Sequence, residues 1–184
     1  MQRAIAFCSS IGNAASPGTS VNTSMVLPKI CEKYRASIDP EEREHVVEVS
    51  ARHIDGSMNS QERNAQLAWL AEENIGENEC RVLTNVRCLS EGIDVPALDA
   101  VLFLSSRNSQ VDVVQSVGRV MRNFRKGQPG EKKYGYIIIP IVVPSDVKPE
   151  DALDNNVTFL PSGISSMLSV HTTIISMRKF RRLP

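Results

Sequence analysis

The sequence has few cysteines, no long apolar run and no excess of either charge. Its 184 residues include four cysteines, and 21 basic side chains balance 21 acidic ones. No apolar segment approaches the roughly 20 residues that a membrane-spanning helix needs, and no signal-peptide pattern opens the sequence. A net charge of zero argues against a generally polycationic binder. With 41% hydrophobic residues, the chain is expected to be one soluble globular domain located in the cytoplasm.

The cysteines are widely and irregularly spaced, at Cys8, Cys31, Cys80 and Cys88. Structural zinc sites need closely spaced ligand pairs, which this spacing does not provide. We therefore expect free, buried thiols and no metal site, and a reducing cytoplasm fits that interpretation.

Two signatures of complete nucleotide sites are missing. The segment 11–15, after the first predicted strand, holds one glycine, which argues against the Gly-x-Gly-x-x-Gly turn of dinucleotide-binding oxidoreductases. The sequence also lacks a Gly-x-x-x-x-Gly-Lys-Ser/Thr loop and an Asp-Glu pair in a strand context, the elements that hold phosphates and magnesium. The chain alone is therefore predicted not to hydrolyse ATP.

Apolar strands alternate with helical patterns up to Pro144. We expect strands at 3–7, 45–54, 81–84, 98–104 and 134–141, a loop at 9–20, and helices at 25–36, 60–73 and 109–125. In the second helix Asn59 and Glu62 predict a capping box, and the residues expected to face inward are Leu67, Leu70 and Ala71. This alternation predicts an α/β fold with a mostly parallel central sheet and helices on both faces.

The pattern weakens after Pro144 into a segment rich in Pro, Asp and Asn. We therefore predict one domain at 1–144, followed at 145–184 by a linker and the start of a C-terminal extension, truncated from a longer parent chain.

The segment 109–125 separates two chemistries when it is drawn as a helix. At roughly 100° per residue, Gln115, Arg119 and Arg122 share one narrow stripe, while four valines and a methionine occupy the opposite side. Ser109 is the predicted N-cap. The apolar side would anchor the helix and leave two arginines and an amide projecting together, a set of donors that suits a phosphate. A solvated basic face is the alternative interpretation.

Polar residues also gather where the predicted strand 81–84 ends. A loop containing Gly92 follows, and Pro96 keeps Val95 extended before the next strand. In open α/β sheets ligands bind at such strand ends, so this loop is a candidate site.

Together these segments resemble the second RecA-like domain of superfamily 2 helicases and translocases. Residues 84–96 resemble motif V of that family, and Gln115-x-x-Gly118-Arg119-x-x-Arg122 resembles motif VI. Residues 3–10 resemble motif IV, and 53–63 resemble the glycine-containing segment that precedes a helix. The resemblance implies a RecA-like three-layer sandwich. The loop from Thr84 to Gly92 is longer than in DEAD-box RNA helicases, and Glu91 stands where those carry arginine, so the chain looks more similar to the DNA-directed branch of restriction and repair enzymes.

The resemblance implies roles for particular residues. Arg122 would be the arginine finger of a split ATPase site, with Arg119 beside it. The nucleotide would also be contacted by Gln115, Glu91, Gly92 and Asp94, with Asp94 toward the ribose. The backbone of nucleic acid would lie along Thr84, Asn85, Ser9, Ser10 and Gly56, whose small polar groups suit contacts that do not depend on base sequence.

The implied partners are a nucleic acid, more DNA than RNA, and a first RecA-like domain in the same parent chain that supplies the phosphate loop and the ligands of Mg²⁺ for ATP. No membrane partner is expected. The alternative function is a non-enzymatic module with a helicase-like fold that binds nucleic acid or protein, and intact Gln115, Arg119 and Arg122 argue against it.

Overall fold

The computed structural model describes residues 1–12, 17–86, 98–105, 110–120 and 135–138, with the side chains of 110–114 left aside. Within these ranges the chain forms five strands and four helices. In order they are β1 (Arg3–Phe7), α1 (Ser20–Ser37), α2 (Pro40–Arg43), β2 (Glu48–Ile54), α3 (Ser60–Ala71), β3 (Glu79–Asn85), β4 (Ala100–Phe103), α4 (Gln110–Val120) and β5 (Tyr136–Ile138).

The five strands pair in parallel in the order β2-β3-β1-β4-β5. Phe7 of β1 lies opposite both Asn85 and Phe103, and Asn85 lies opposite Ile54 of β2. Four strands therefore end at one edge of the sheet and in register. The predicted parallel α/β architecture is confirmed.

Successive strand residues face opposite sides of the sheet, as the pleat requires. One side packs against α3 and α4 through a core of larger side chains: Ile5, Phe7, Leu83, Val101, Phe103, Leu70 and Val120. The other side, which faces α1, carries smaller residues: Ala4, Ala6, Cys80, Val82 and Ala100, with Leu27 packed against them. Helices thus cover both faces, as predicted. The rings of Phe7 and Phe103 stack with their centroids 5.4 Å apart.

The end of α3 is fixed by a buried arginine of β1. Arg3 is 6% exposed, and its guanidinium donates to the carbonyls of Leu70 at 3.1 Å and Glu72 at 2.6 Å. These carbonyls lie at the carboxyl end of the helix, where the last carbonyls lack partners within the helix. The helix ends at Ala71 rather than at residue 73, and Ala71 is exposed, so its predicted inward orientation was wrong. Leu70 and Leu67 do pack against the core.

The start of α1 lies in the segment that was predicted to be a loop. Thr19 is the N-cap, and its side chain accepts a hydrogen bond from the amide of Asn22 at 3.2 Å. The helix therefore begins at Ser20 instead of near Met25. Met25, the first residue of the predicted helix, is 49% exposed. The buried residues of α1 are instead Ser20 and Ser24, which precede it.

The strand β2 begins at Glu48 rather than at residue 45. Residues 40–43 form the short helix α2, with Asp39 as N-cap and Pro40 in the first turn, where proline is well tolerated. The amides of His45 and Val46 then bond back to this helix. Residues 45 and 46, which were expected to begin the strand β2, therefore belong to the turn after α2.

The remaining boundaries follow the predictions closely. The capping box of α3 is confirmed, because Asn59 Oδ1 accepts from the amide of Glu62 at 2.9 Å and the Glu62 carboxylate accepts from the amide of Asn59 at 2.9 Å. The strand β3 is longer than predicted, β4 is shorter, and β5 lies inside the predicted range. The predicted cap Ser109, the predicted helix end at residue 125 and the predicted domain boundary at residue 144 lie outside the described residues. In the part of the chain that the structure describes, no helix is long and apolar enough to cross a membrane.

Candidate functional site

The residues predicted to contact nucleic acid lie together at the carboxyl edge of the sheet. Ser9 and Ser10 follow β1, Gly56 follows β2, and Thr84 and Asn85 end β3. Because these three strands are parallel neighbours and end in register, the sheet brings the five residues to the same edge. That edge is where open α/β folds bind their ligands.

After β1 the chain turns back onto the first turn of α1. The amide of Ser20 donates to the carbonyl of Ser10 at 2.9 Å. Gly12 has a φ of 56° and lies so close to the helix that a Cβ there would clash with Cγ2 of Thr19. This close approach holds Ser9 and Ser10 at the sheet edge, where both are exposed.

Thr84 is fully buried at the end of β3, and its side chain faces α1. Its Oγ1 donates to the carbonyl of Ser20 at 2.8 Å and lies 3.1 Å from the Ser20 hydroxyl. Ser20 is also fully buried. The threonine hydroxyl therefore has its partner inside the protein and ties the end of β3 to the start of α1.

Asn85 is also fully buried. Its side-chain amide donates to the carbonyl of Ala6 at 3.4 Å, and its backbone carbonyl accepts from the amide of Cys8 at 2.8 Å. Among the described residues its Oδ1 has no hydrogen-bond partner. Asn85 thus links β3 to the exit of β1 rather than projecting from the sheet edge.

The exit of β2 is a rigid polar turn. Buried Asp55 accepts from the amide of Ser57 at 2.8 Å and from its hydroxyl at 2.5 Å. The hydroxyl of Ser57, above all, holds the pKa of Asp55 below its usual value, against the opposing effect of burial. The turn leaves Gly56 exposed, and a Cβ there would meet no atom within 4 Å. The backbone of Gly56 is therefore open to a ligand.

The described part of α4 has an outward polar side and a buried side, as its sequence predicts. Gln115 and Gly118 are exposed and Arg119 is half-buried, whereas Ser116 and Val120 are buried. Val120 is 0% exposed and belongs to the core formed with β1, β3 and β4. The stripe with Gln115 and Arg119 is thus presented outward by an anchored helix. Four predicted site residues, Arg122, Glu91, Gly92 and Asp94, lie outside the described residues.

Two features beside β2 were not anticipated from the sequence. A cavity of about 510 Å³ is lined by Ser24, Met25, Ala51, Arg52, His53 and Gln66. Next to it, the guanidinium carbon of Arg52 lies 4.5 Å from the ring centroid of Trp69, and that of Arg81 lies 5.3 Å from it. These contacts join β2 and β3 to α3. Residue spacing within one element does not predict contacts between different elements.

A metal ion needs several ligating side chains close together. In the described ranges, no group of three or more His, Cys, Asp or Glu side chains is close enough together to hold a metal ion. The acidic Asp55 is committed to its own turn, where its carboxylate accepts from the amide and the hydroxyl of Ser57.

Known proteins resemble this chain in sequence and in fold. The model of the family described as helicase conserved C-terminal domain matches residues 2–124. The solved structure of an ATP-dependent Type ISP restriction-modification enzyme, LlaBIII, bound to DNA is 42% identical, with a TM-score of 0.62, over 84% of this chain and 9% of that enzyme. The chain therefore spans only a small part of that enzyme's length. A comparison with curated protein sequences finds no match.

Two further solved structures match less well. The C-terminal part of the Fun30 ATPase domain is 15% identical with a TM-score of 0.41, over 75% of this chain and 34% of that one. Domain 2 of the DEAD-box helicase Mss116p, bound to an RNA duplex, is 13% identical with a TM-score of 0.39, over 75% of this chain and 41% of that one.

Proposed function

The chain belongs to the helicase conserved C-terminal domain family, and we propose from this premise that it is the second RecA-like half of an ATP-dependent DNA helicase or translocase. In this proposal the chain forms one side of a split ATPase site and part of the surface that binds the nucleic acid. The other side, including the phosphate loop, belongs to a first RecA-like domain of the parent protein.

The observation that carries the proposal is the outward stripe of α4. Buried Val120 and Ser116 pack the helix against the rest of the domain, so exposed Gln115 and half-buried Arg119 keep fixed positions on its outward side. In the sequence Arg122 continues the same stripe at i+7 from Gln115. Guanidinium groups at fixed positions stabilise the negative charge that develops on a transferring phosphoryl group. We assign Arg122 as the arginine finger and Arg119 as its neighbour.

The residues present fit one half of an ATP site. The chain offers cations and an amide for the triphosphate, but its sequence contains no phosphate loop. ATP with Mg²⁺ would supply the phosphoryl group and the metal that neutralises its charge. Glu91, Gly92 and Asp94 remain assigned to the nucleotide, and the ligands of Mg²⁺ to the first domain.

For the nucleic acid, the exposed edge residues are the direct contacts. Ser9, Ser10 and Gly56 offer hydroxyls and open backbone, which suit contacts to phosphates without reading the bases. Thr84 and Asn85 would act behind them, because the hydroxyl of Thr84 already bonds to Ser20 and the amide of Asn85 to Ala6. DNA is the proposed partner, since the enzyme that is 42% identical is bound to DNA in its structure.

The test is nucleic-acid-stimulated ATP hydrolysis by the full-length parent protein. Arg119→Ala and Arg122→Ala should each lower turnover by roughly 10³-fold while ATP and DNA still bind, which is the scale expected of an arginine finger. Arg35→Ala is the matched control, because Arg35 is also half-buried in the last turn of its helix, α1, on the other face of the sheet. Near-normal stimulated turnover in both Arg119→Ala and Arg122→Ala would reject the split site and favour a non-enzymatic binding module.

A further inference from the structure

The cavity beside β2 lies at an open edge of the sheet. Among the described strands β2 is the outermost one, and it pairs with β3 on one side. Ser24 and Met25 of α1 bound the cavity on one face of the sheet, and Gln66 of α3 bounds it on the other. A space between both helix layers and beside an outermost strand is where a further strand of the sheet would lie.

Every second residue of β2 directs its backbone groups toward this open edge. The amide of Glu48 donates to the carbonyl of Asn78 at 2.7 Å, so Glu48 faces β3. Because backbone groups alternate in direction along a strand, those of Val49, Ala51 and His53 point away from β3. Ala51 and His53 also line the cavity. The sequence of β2 contains no proline, so its edge can form hydrogen bonds with another extended chain.

Arg52 brings an unneutralised charge to the same place. Its side chain is exposed, and its guanidinium carbon lies 4.5 Å from the ring centroid of Trp69. Arg81 lies over the same ring, but it is paired with the carboxylates of Glu72 and Glu79. Among the described residues Arg52 has no ion-pair partner. Stacking occupies the face of a guanidinium and leaves its N–H donors free in the plane, where a carboxylate can accept two of them.

The two sides of the cavity differ in chemistry. On the α3 side, Gln66 lies near the charge of Arg52, and its buried Oε1 has no hydrogen-bond partner among the described residues. Its terminal amide can turn to donate to a carboxylate there. On the α1 side, Ala51 packs against the apolar cluster and Met25 is 49% exposed. Since side chains alternate along a strand, the chain that fits this edge alternates acidic with apolar residues.

We propose that the open edge of β2 is a docking site for an extended acidic segment of a partner protein, which adds to the sheet as a further parallel or antiparallel strand. Hydrogen bonds to the backbone of Val49, Ala51 and His53 supply the affinity, and a carboxylate bound by Arg52 supplies the preference for acidic sequences. None of these residues is assigned to nucleotide or nucleic acid, so the docking site does not depend on the split ATPase site.

The test is fluorescence anisotropy with the 184-residue chain and synthetic peptides. The probe is a labelled peptide of seven residues, the length of β2, in which valine alternates with glutamate. Arg52→Gln should weaken its binding roughly 10-fold, because a hydrogen bond to a charged group is lost. Arg35→Gln is the matched control and should leave binding unchanged, since Arg35 is a half-buried arginine of α1 that does not line the cavity.

A second probe changes the peptide instead of the protein. The same valine–glutamate peptide with alternate amides N-methylated should not bind, because strand addition requires those donors. A peptide in which lysine replaces glutamate should bind at least 10-fold more weakly than the acidic one. Both comparisons use the unmodified chain, so they stay decisive even if Arg52→Gln is poorly folded.

Each outcome decides the inference. Binding of the acidic peptide that is lost on N-methylation, and that is weakened by Arg52→Gln but not by Arg35→Gln, supports it. Absence of binding overturns it, as does equal binding of the N-methylated or the lysine peptide. Sedimentation velocity of the chain alone tests the other occupant of the edge. Self-association that the acidic peptide reverses would assign the edge to a second copy of the chain and overturn the proposed partner.

Discussion

Gly135→Ala is the substitution whose effect follows most directly from the packing of α4. A Cβ at residue 135 would lie 2.6 Å from Cγ1 of Val120 and 2.8 Å from the carbonyl oxygen of Val120. The second atom belongs to the helix backbone, so no change of rotamer relieves the clash. The start of β5 and the end of α4 must separate by roughly 0.8 Å to reach ordinary contact.

The cost can be estimated from two opposing effects. Forcing an extra methyl group into a packed interface costs about 1–3 kcal/mol. Replacing glycine with alanine also restricts the unfolded chain, which stabilises the protein by about 0.4–1 kcal/mol. The net prediction for Gly135→Ala is a loss of about 1–2 kcal/mol. For a chain of this size each kcal/mol corresponds to about 2–4 °C in the melting temperature.

Urea unfolding followed by tryptophan fluorescence measures this loss, because Trp69 is the one tryptophan of the chain and packs against the core that contains Val120. Gly76→Ala is the control and should keep or raise the stability, since its Cβ would meet only Glu79 at 3.9 Å. If the two alanine variants shifted the unfolding midpoint in the same direction and by the same amount, the close contact between β5 and α4 would be refuted.

Three further predictions concern buried charges and thiols. Arg3→Met should lower the free energy of unfolding by about 2–4 kcal/mol, because two charge-assisted hydrogen bonds to the end of α3 are lost and part of the loss is offset by removing a buried charge; an unchanged urea midpoint would contradict this. Asp55 has a lowered pKa in the folded state, so its stabilising effect is present above its ordinary value and is lost as the pH falls below about 4. Asp55→Asn should therefore be less stable than the original protein at neutral pH and should lose less stability on acidification. Unfolding measured for both proteins from neutral to acidic pH tests this, and a larger loss of stability in Asp55→Asn would contradict it. Iodoacetamide should label half-buried Cys31 before buried Cys80, whose pKa burial raises to about 11; peptide mapping that finds the reverse order would show that β3 opens readily.

The elements that local sequence determines were predicted well. The strand β1 has the predicted bounds, and the capping box at Asn59 fixes the start of α3. The outward stripe of α4 also follows from residue spacing alone, since helical periodicity decides which side chains share a face. Each of these features depends on residues a few positions apart.

The errors arose where a distant contact decides the structure. The end of α3 depends on the guanidinium of Arg3, which reaches the carbonyl of Leu70 across 67 residues of sequence. The start of α1 depends on the polar cap Thr19, which closes against Gly12 in a segment that reads as loop. Propensity and periodicity contain no information on contacts of this kind, because tertiary packing determines them.

The candidate site shows the same division between sequence and tertiary structure. The sequence indicates which residues are candidates for the site, but it does not indicate where their side chains point. The hydroxyl of Thr84 is turned toward α1 by a hydrogen bond to Ser20, 64 residues away. Ser20 in turn donates its amide to the carbonyl of Ser10 at 2.9 Å, beside the exposed Ser9. We therefore expect a displacement at the end of β3 to shift the first turn of α1 and, through it, the exit of β1. If DNA binds at Ser9 and Ser10, Thr84 affects that binding by holding the loop, and this role requires the threonine to be buried.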